Sequence, residues 1–246
     1  MEIIIVGDAV QVGLRAAALV AESVVGRDAP VLGVATGGSP LTTYEALADL
    51  VQRGDLDLSG ARAFALDEYV GLGADDERSY AATLRRTVAG PLGLDPARVH
   101  VPDGLATDLD AACAAHEQAI REAGGVDVQI LGIGRNGHIG FNEPGSHLDS
   151  RTRVEVLAES TREANARYFA SPDEVPSRCL TQGLGTILEA RHLVLVAIGQ
   201  EKAPAVAAMV EGPVTPLCPA SVLQRHPRAA VVLDEAAASR LGSATR

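Results

Sequence analysis

Six strand-length runs of almost uninterrupted apolar residues recur along this chain: EIIIV from Glu2, VLGVA from Val31, ARAFAL from Ala61, VDVQILGI from Val126, HLVLVAI from His192 and AAVVL from Ala229. Apolar residues at successive rather than alternate positions mean that both faces of each strand are covered, as in the centre of a parallel sheet. The intervening segments 11–25, 41–53, 108–123 and 200–211 are rich in Ala, Leu and Glu at helical spacing. Repeated strand-helix alternation predicts an α/β chain with a doubly wound, mostly parallel sheet and helices on both faces. Only 3% of residues are aromatic against 47% apolar, so the core must be layered from Ala, Val, Leu and Ile. No repeat, low-complexity tract or long Pro/Gly/Ser linker divides residues 1–246, and a single domain is expected.

The formal charge of −11, from 32 acidic and 21 basic residues, repels nucleic acid and anionic membranes. A small anion is still admissible, because charges are screened over about 8–10 Å and one pocket can be locally positive. Cys113, Cys179 and Cys218 are odd in number and widely spaced. They predict reduced, mostly buried thiols rather than a disulfide framework or zinc site. No cationic region precedes the first apolar run, and no stretch reaches the roughly 18 apolar residues of a membrane span. A cytoplasmic protein is expected.

In doubly wound sheets ligands bind beyond the carboxyl ends of the strands, which directs attention to the loops after Ala35, Leu66, Ile133 and Ile198. ATGGSPLTTYEAL follows a strand with Gly37 and Gly38, which let backbone approach a ligand. Ser39 is then expected to cap a helix with Pro40 at its first position. Free amides, a hydroxyl and the positive end of a helix make a phosphate cradle; a plain capped turn accounts for GGSP equally well. FALDEYVGL places Asp67 and Glu68 directly after a buried strand. A partly desolvated carboxylate there could take a proton next to a carbonyl, whereas the plain alternative has one capping a turn and the other solvated. LGIGRNGHIGFNEPGS spaces Asn136, His138 and Glu143 with Gly132, Gly134, Gly137 and Gly140, whose entropic cost argues for a site. His138 titrates near neutrality, and Glu143 can orient it and set its tautomer. Lys202, at the start of a helix where acidic residues are preferred, suits a phosphate; Arg167 alone could equally be a solvated helical arginine.

GIGRNG has the form GxGxxG but lies deep in the chain and does not open a helix, so no dinucleotide is expected. His138 and Glu143 lack metal-ligand spacing, and neither a metal nor another cofactor is assigned.

Taken together, ATGGSPLTTYEAL, FALDEYVGL, LGIGRNGHIGFNEPGS, SRTRVEVL, GQEKAPAV and PASVLQRHP resemble, in order and across nearly the whole chain, the glucosamine-6-phosphate deaminase family. DEYVGL and NGHIGFNEP are specific to the deaminases within their superfamily. The resemblance implies a three-layer Rossmann-like fold and conversion of glucosamine 6-phosphate and water to fructose 6-phosphate and ammonium. It implies that Asp67 moves the proton from C2 to C1 and that His138, assisted by Glu143 and Asn136, opens the pyranose ring. It further implies that Gly37, Gly38, Ser39, Arg167 and Lys202 form the phosphate-binding loop and its cations. A phosphorylated amino sugar is thus the expected partner, with the protein a monomer or homo-oligomer.

Two departures from the family pattern matter. Some members have Asp where this chain has Asn136, which can serve only by hydrogen bonding. Allosteric hexameric members carry Lys two residues after the second Arg of SRTR and extend further at the C-terminus. Glu155 stands at that position here, and an acidic residue disfavours a phosphorylated activator. The alternatives are a galactosamine-6-phosphate deaminase, a 6-phosphogluconolactonase, which Asp67 and FNEP oppose, and a sugar-phosphate sensor, for which no DNA-reading segment is visible. Segment 150–185, polar and between the catalytic loop and the next strand, is the expected lid.

Overall fold

The structure, a computed structural model, describes residues 1–245. In chain order its strands and helices are β1 (Glu2–Val6), α1 (Ala9–Val24), β2 (Val31–Val34), α2 (Gly38–Gln52), β3 (Arg62–Ala65), β4 (Asp67–Tyr69), α3 (Tyr80–Leu84), β5 (Val99–His100), α4 (Leu109–Glu122), β6 (Val128–Leu131), β7 (Arg153–Val156), α5 (Glu159–Asn165), β8 (Arg178–Thr181), α6 (Leu184–Leu188), β9 (Leu193–Ala197), α7 (Ala203–Glu211) and β10 (Ala229–Asp234).

Seven strands form one sheet in the order β1-β10-β9-β6-β2-β3-β5, and every pairing in it is parallel. The both-face apolar runs have the burial they predict. Along β9, Leu193, Leu195 and Ala197 enter one core layer with Ile120 of α4, Ile187 of α6 and Val206 and Met209 of α7. Val194 and Val196 enter the opposite layer with residues of α1 and α2. The result is three layers, helix on sheet on helix. All three cysteines are free and buried, as expected, and no helix among the described residues is long and apolar enough to cross a membrane.

The order of strands positions the site. From β2 the chain builds outward through β3 to β5, whereas β6, β9 and β10 build in the other direction, so the order reverses between β2 and β6. At such a switch point the two following loops diverge and leave a crevice. The loop after β2 is the GGSP loop and the loop after β6 carries His138.

A second sheet, antiparallel and three-stranded, runs β4-β8-β7. DEY of FALDEYVGL is therefore a strand in its own right, with Asp67 opposite Thr181. Segment 150–185 is likewise no open loop: β7 and β8 pair with each other at its two ends. These strands are too short, and the segment too polar, for a strand pattern to register in the sequence.

Candidate active site

The cradle after β2 differs from its sequence reading in one respect. Ser39 does not cap the helix: α2 begins at Gly38, with Gly37 as the capping residue and no side-chain cap. Gly37 has φ +107, a conformation that turns the chain into the helix two residues early and that a side chain would oppose. The first amides of α2 stay free at the mouth of the crevice, where an anion finds donors and the positive helix end.

Beneath them lies a contact that sequence reading missed. Tyr44, buried in α2, donates its hydroxyl hydrogen to the Ala35 carbonyl at 2.8 Å and accepts the Ala35 amide at 2.9 Å. Ala35 is the residue between β2 and the cradle, and one phenol closes both its backbone groups. A tyrosine at helical spacing is indistinguishable from core in the sequence. Tyr44→Phe leaves the pair unsatisfied at a cost of about 1–3 kcal/mol. The half-saturating concentration of a phosphorylated substrate is expected to rise about tenfold with little change in turnover. Steady-state kinetics with an unchanged KM would remove Tyr44 from the cradle's support.

Asp67 and Glu68 divide the two roles that their sequence left open. Glu68 accepts backbone amides from Tyr69, Tyr80 and Ala81 at 2.8, 3.0 and 2.9 Å and so caps α3. Asp67 is 6% exposed, and no donor reaches its carboxylate among the described residues. Burial, with a smaller push from the Glu68 charge, raises its pKa to about 8. Thr181 Oγ1 accepts the Phe141 amide at 3.0 Å and ties the loop after β6 to the strand opposite Asp67.

His138 is brought to the same crevice. Its imidazole lies over Gly134, where an added Cβ would fall 2.4 Å from Nε2. Its Nδ1 is 3.4 Å from Glu143 Oε2, long for a hydrogen bond and without another partner; such contacts tighten in substrate complexes. Asn136 bridges the pair, donating from Nδ2 to Glu143 Oε2 at 2.7 Å and accepting the His138 amide at 3.2 Å. Burial alone would lift the Glu143 pKa, but interactions with His138, Thr161 and Asn136 outweigh it and hold the carboxylate below its ordinary value. An ionised Glu143 favours the Nδ1–H tautomer, which leaves Nε2 free to exchange protons with a ligand.

Lys202 immediately precedes α7 and donates to the Ile133 carbonyl at 2.8 Å, which places it beside the loop after β6. Burial lowers its pKa. The neighbouring charges act too, Glu201 raising it and Arg135 and Arg167 lowering it. The three cations therefore share one neighbourhood, and an anion among them would relieve their repulsion. Arg167 is exposed, its guanidinium 4.8 Å above the Tyr168 ring. Arg135, which sequence reading did not single out, pairs with Glu201 at 3.6 Å. The contact of Gly132 with Pro40, 3.7 Å from an added Cβ, sets this loop against the cradle. Among the described residues no group of three or more His, Cys, Asp or Glu is placed to hold a metal ion.

Comparison with known proteins finds relatives over nearly the whole chain. A relative from Cutibacterium acnes, named glucosamine-6-phosphate deaminase, is 64% identical over 241 residues, covering 98% of this chain and 92% of its own. The solved structure of a monomeric glucosamine-6-phosphate deaminase superposes with a TM-score of 0.95 at 41% identity, covering 98% of this chain and 100% of the other. The 6-phosphogluconolactonase from Trypanosoma cruzi, at TM-score 0.76 and 21% identity, covers 98% of this chain and 96% of its own and shares the fold. With residues 9–232 matching its family description, the chain belongs to the glucosamine-6-phosphate isomerases/6-phosphogluconolactonase family.

Proposed function

We propose that this chain is a glucosamine-6-phosphate deaminase, producing fructose 6-phosphate and ammonium in the cytoplasmic breakdown of amino sugars. The observation that carries the reading is Asp67: a buried carboxylate without a partner among the described residues, its pKa raised to about 8, beside the loop that carries His138. A lactonase moves no carbon-bound proton and has no use for such a base. The ammonium of an amino sugar beside Asp67 favours its ionised form, so the substrate itself prepares the base.

His138, with Glu143 facing its Nδ1 and Asn136 bridging its backbone amide to Glu143, opens the ring by proton exchange at the ring oxygen and the C1 hydroxyl. The C1 aldehyde so formed acidifies the C2 hydrogen. Asp67 takes that proton as an enolamine forms and returns it to C1, leaving a C2 imine that water hydrolyses to ketone and ammonium. Gly37, Gly38, Ser39, Arg167 and Lys202 hold the phosphate, and that remote binding fixes C2 against Asp67.

Ammonium and fructose 6-phosphate measured together from glucosamine 6-phosphate test the assignment. Equimolar appearance of both is expected; hydrolysis of the 6-phosphogluconolactone without ammonium release would overturn it.

Activation by N-acetylglucosamine 6-phosphate is not expected. Arg153 is committed to Glu155, Asn142 and Ser146, and Arg151 to Glu117 and Glu189. Neither arginine of SRTR is free for a phosphate. Substrate saturation should be hyperbolic and unmoved by the acetylated sugar, and a clear lowering of half-saturation would refute this.

A further inference from the structure

The chain has four tyrosines, three phenylalanines and no tryptophan, and the two main core layers are almost free of rings. Four of these seven gather in one place. Tyr69 lies 4.8 Å from Tyr80, 5.6 Å from Phe141 and 5.7 Å from Phe169, centroid to centroid. Phe141 in turn is 6.3 Å from the His138 ring. With Leu72, Leu157 and Cys179 they form a small core separate from the two layers on the main sheet.

Packing alone would be served by phenylalanine at every position, because a buried hydroxyl costs free energy unless it is bonded. The two tyrosines are bonded, and to residues that connect the site. Tyr80 donates to the Tyr69 hydroxyl at 3.3 Å, and Asn165 Nδ2 donates to the same oxygen at 2.8 Å. Tyr69 lies on β4 two residues after Asp67, and Asn165 ends α5 two residues before Arg167. One hydrogen-bonded chain thus runs from Tyr80 at the start of α3, through the strand that presents Asp67, to the segment that carries Arg167.

We propose that Tyr69, Tyr80 and Asn165 are positioning residues of the substrate site: their hydrogen bonds fix the Arg167 segment relative to the strand that carries Asp67. This rests on reading Arg167 as a phosphate ligand. Arg167 is on the surface, where the rotamer freedom of an arginine is largest. Bracing the backbone two residues away reduces the ordering that substrate must otherwise impose, and preorganisation of this kind acts on binding.

Tyr69→Phe keeps the ring and removes the shared oxygen; Asn165→Ala removes the donor from a half-buried position that no core layer needs. For each variant, for the pair and for Arg167→Ala, the measurements are kcat and KM for glucosamine 6-phosphate, inhibition by inorganic phosphate, and thermal unfolding. Each brace variant is expected to raise KM and the phosphate inhibition constant about tenfold, with kcat within about twofold. The pair should be no worse than its worse member, because both substitutions break one bond. Arg167→Ala should raise both constants at least as far. Lower melting temperature with KM unchanged in both brace variants, while Arg167→Ala raises KM, would overturn the brace and leave a packing cluster. A fall in kcat alone would overturn it in favour of hydroxyls acting in the chemistry. No effect of Arg167→Ala would refute the phosphate reading of Arg167 and the brace with it.

Discussion

Asp67→Asn is expected to lower kcat/KM for glucosamine 6-phosphate about a thousandfold, since the amide keeps the shape of the base and cannot accept the C2 proton. The same change should stabilise the protein at neutral pH. In the folded state the carboxyl titrates near pH 8, against 3.8 as the ordinary value. Between those values the folded protein holds a proton that the unfolded chain has released, so stability declines as pH rises through the window. Asparagine carries no such penalty. The variant should therefore unfold at higher temperature than the parent at pH 7–8, by on the order of a few kcal/mol, and the gain should vanish below about pH 4. Melting curves from pH 4 to 8 decide this. A difference independent of pH would show that Asp67 is ionised in the free enzyme. In the parent, kcat/KM should rise with pH towards 8 as Asp67 ionises. The corresponding limb in kcat should lie lower, where the bound ammonium favours the carboxylate.

Gly134→Ala should be the most damaging substitution at a residue that makes no contact of its own with substrate. The new methyl would stand 2.4 Å from both Nε2 and Cε1 of His138, so the imidazole must leave its place over the loop. Displacing a catalytic group by about 1 Å costs on the order of a hundredfold in rate. Gly132→Ala, two residues earlier, is the control: its methyl would meet only Pro40 at 3.7 Å, ordinary contact, and kcat should stay within about threefold. Equal kcat for Gly134→Ala and the parent would mean that the ring has a second productive position.

Much of this architecture was legible in the chain because it depends on local pattern. Strands covered on both faces must be almost wholly apolar, and β2, β6, β9 and β10 are so, with Gln129 in β6 and Asp234 at the end of β10 as the polar exceptions; strand-helix alternation then leaves a parallel sheet as the economical arrangement. The crevice loops were legible for a related reason. Glycines at 37, 134 and 137 and polar residues at 138 and 143 follow an apolar strand and lie outside strands and helices, while Gly38 and Asp67 open the next element.

What the sequence left open are relations between residues far apart along the chain. Asp67 and Glu68 are chemically near-equivalent neighbours. Only the arrival of the α3 amides at Glu68 makes one a cap and leaves the other buried without a partner. Ser39 has the chemistry of a helix cap and is displaced from that role because Gly37 turns first. Tyr44, Tyr69 and Tyr80 belong to no pattern that marks their hydroxyls, which acquire meaning through Ala35 and Asn165, residues that no periodicity connects to them. Local sequence determined which elements form and where chemistry-bearing loops fall, because propensity and burial act over a few residues. The tertiary structure alone decided which carboxylate is buried without a partner among the described residues, what bonds the backbone ahead of the GGSP loop and which strand the segment before Arg167 is tied to, because those outcomes depend on which distant groups desolvate or hydrogen-bond each other.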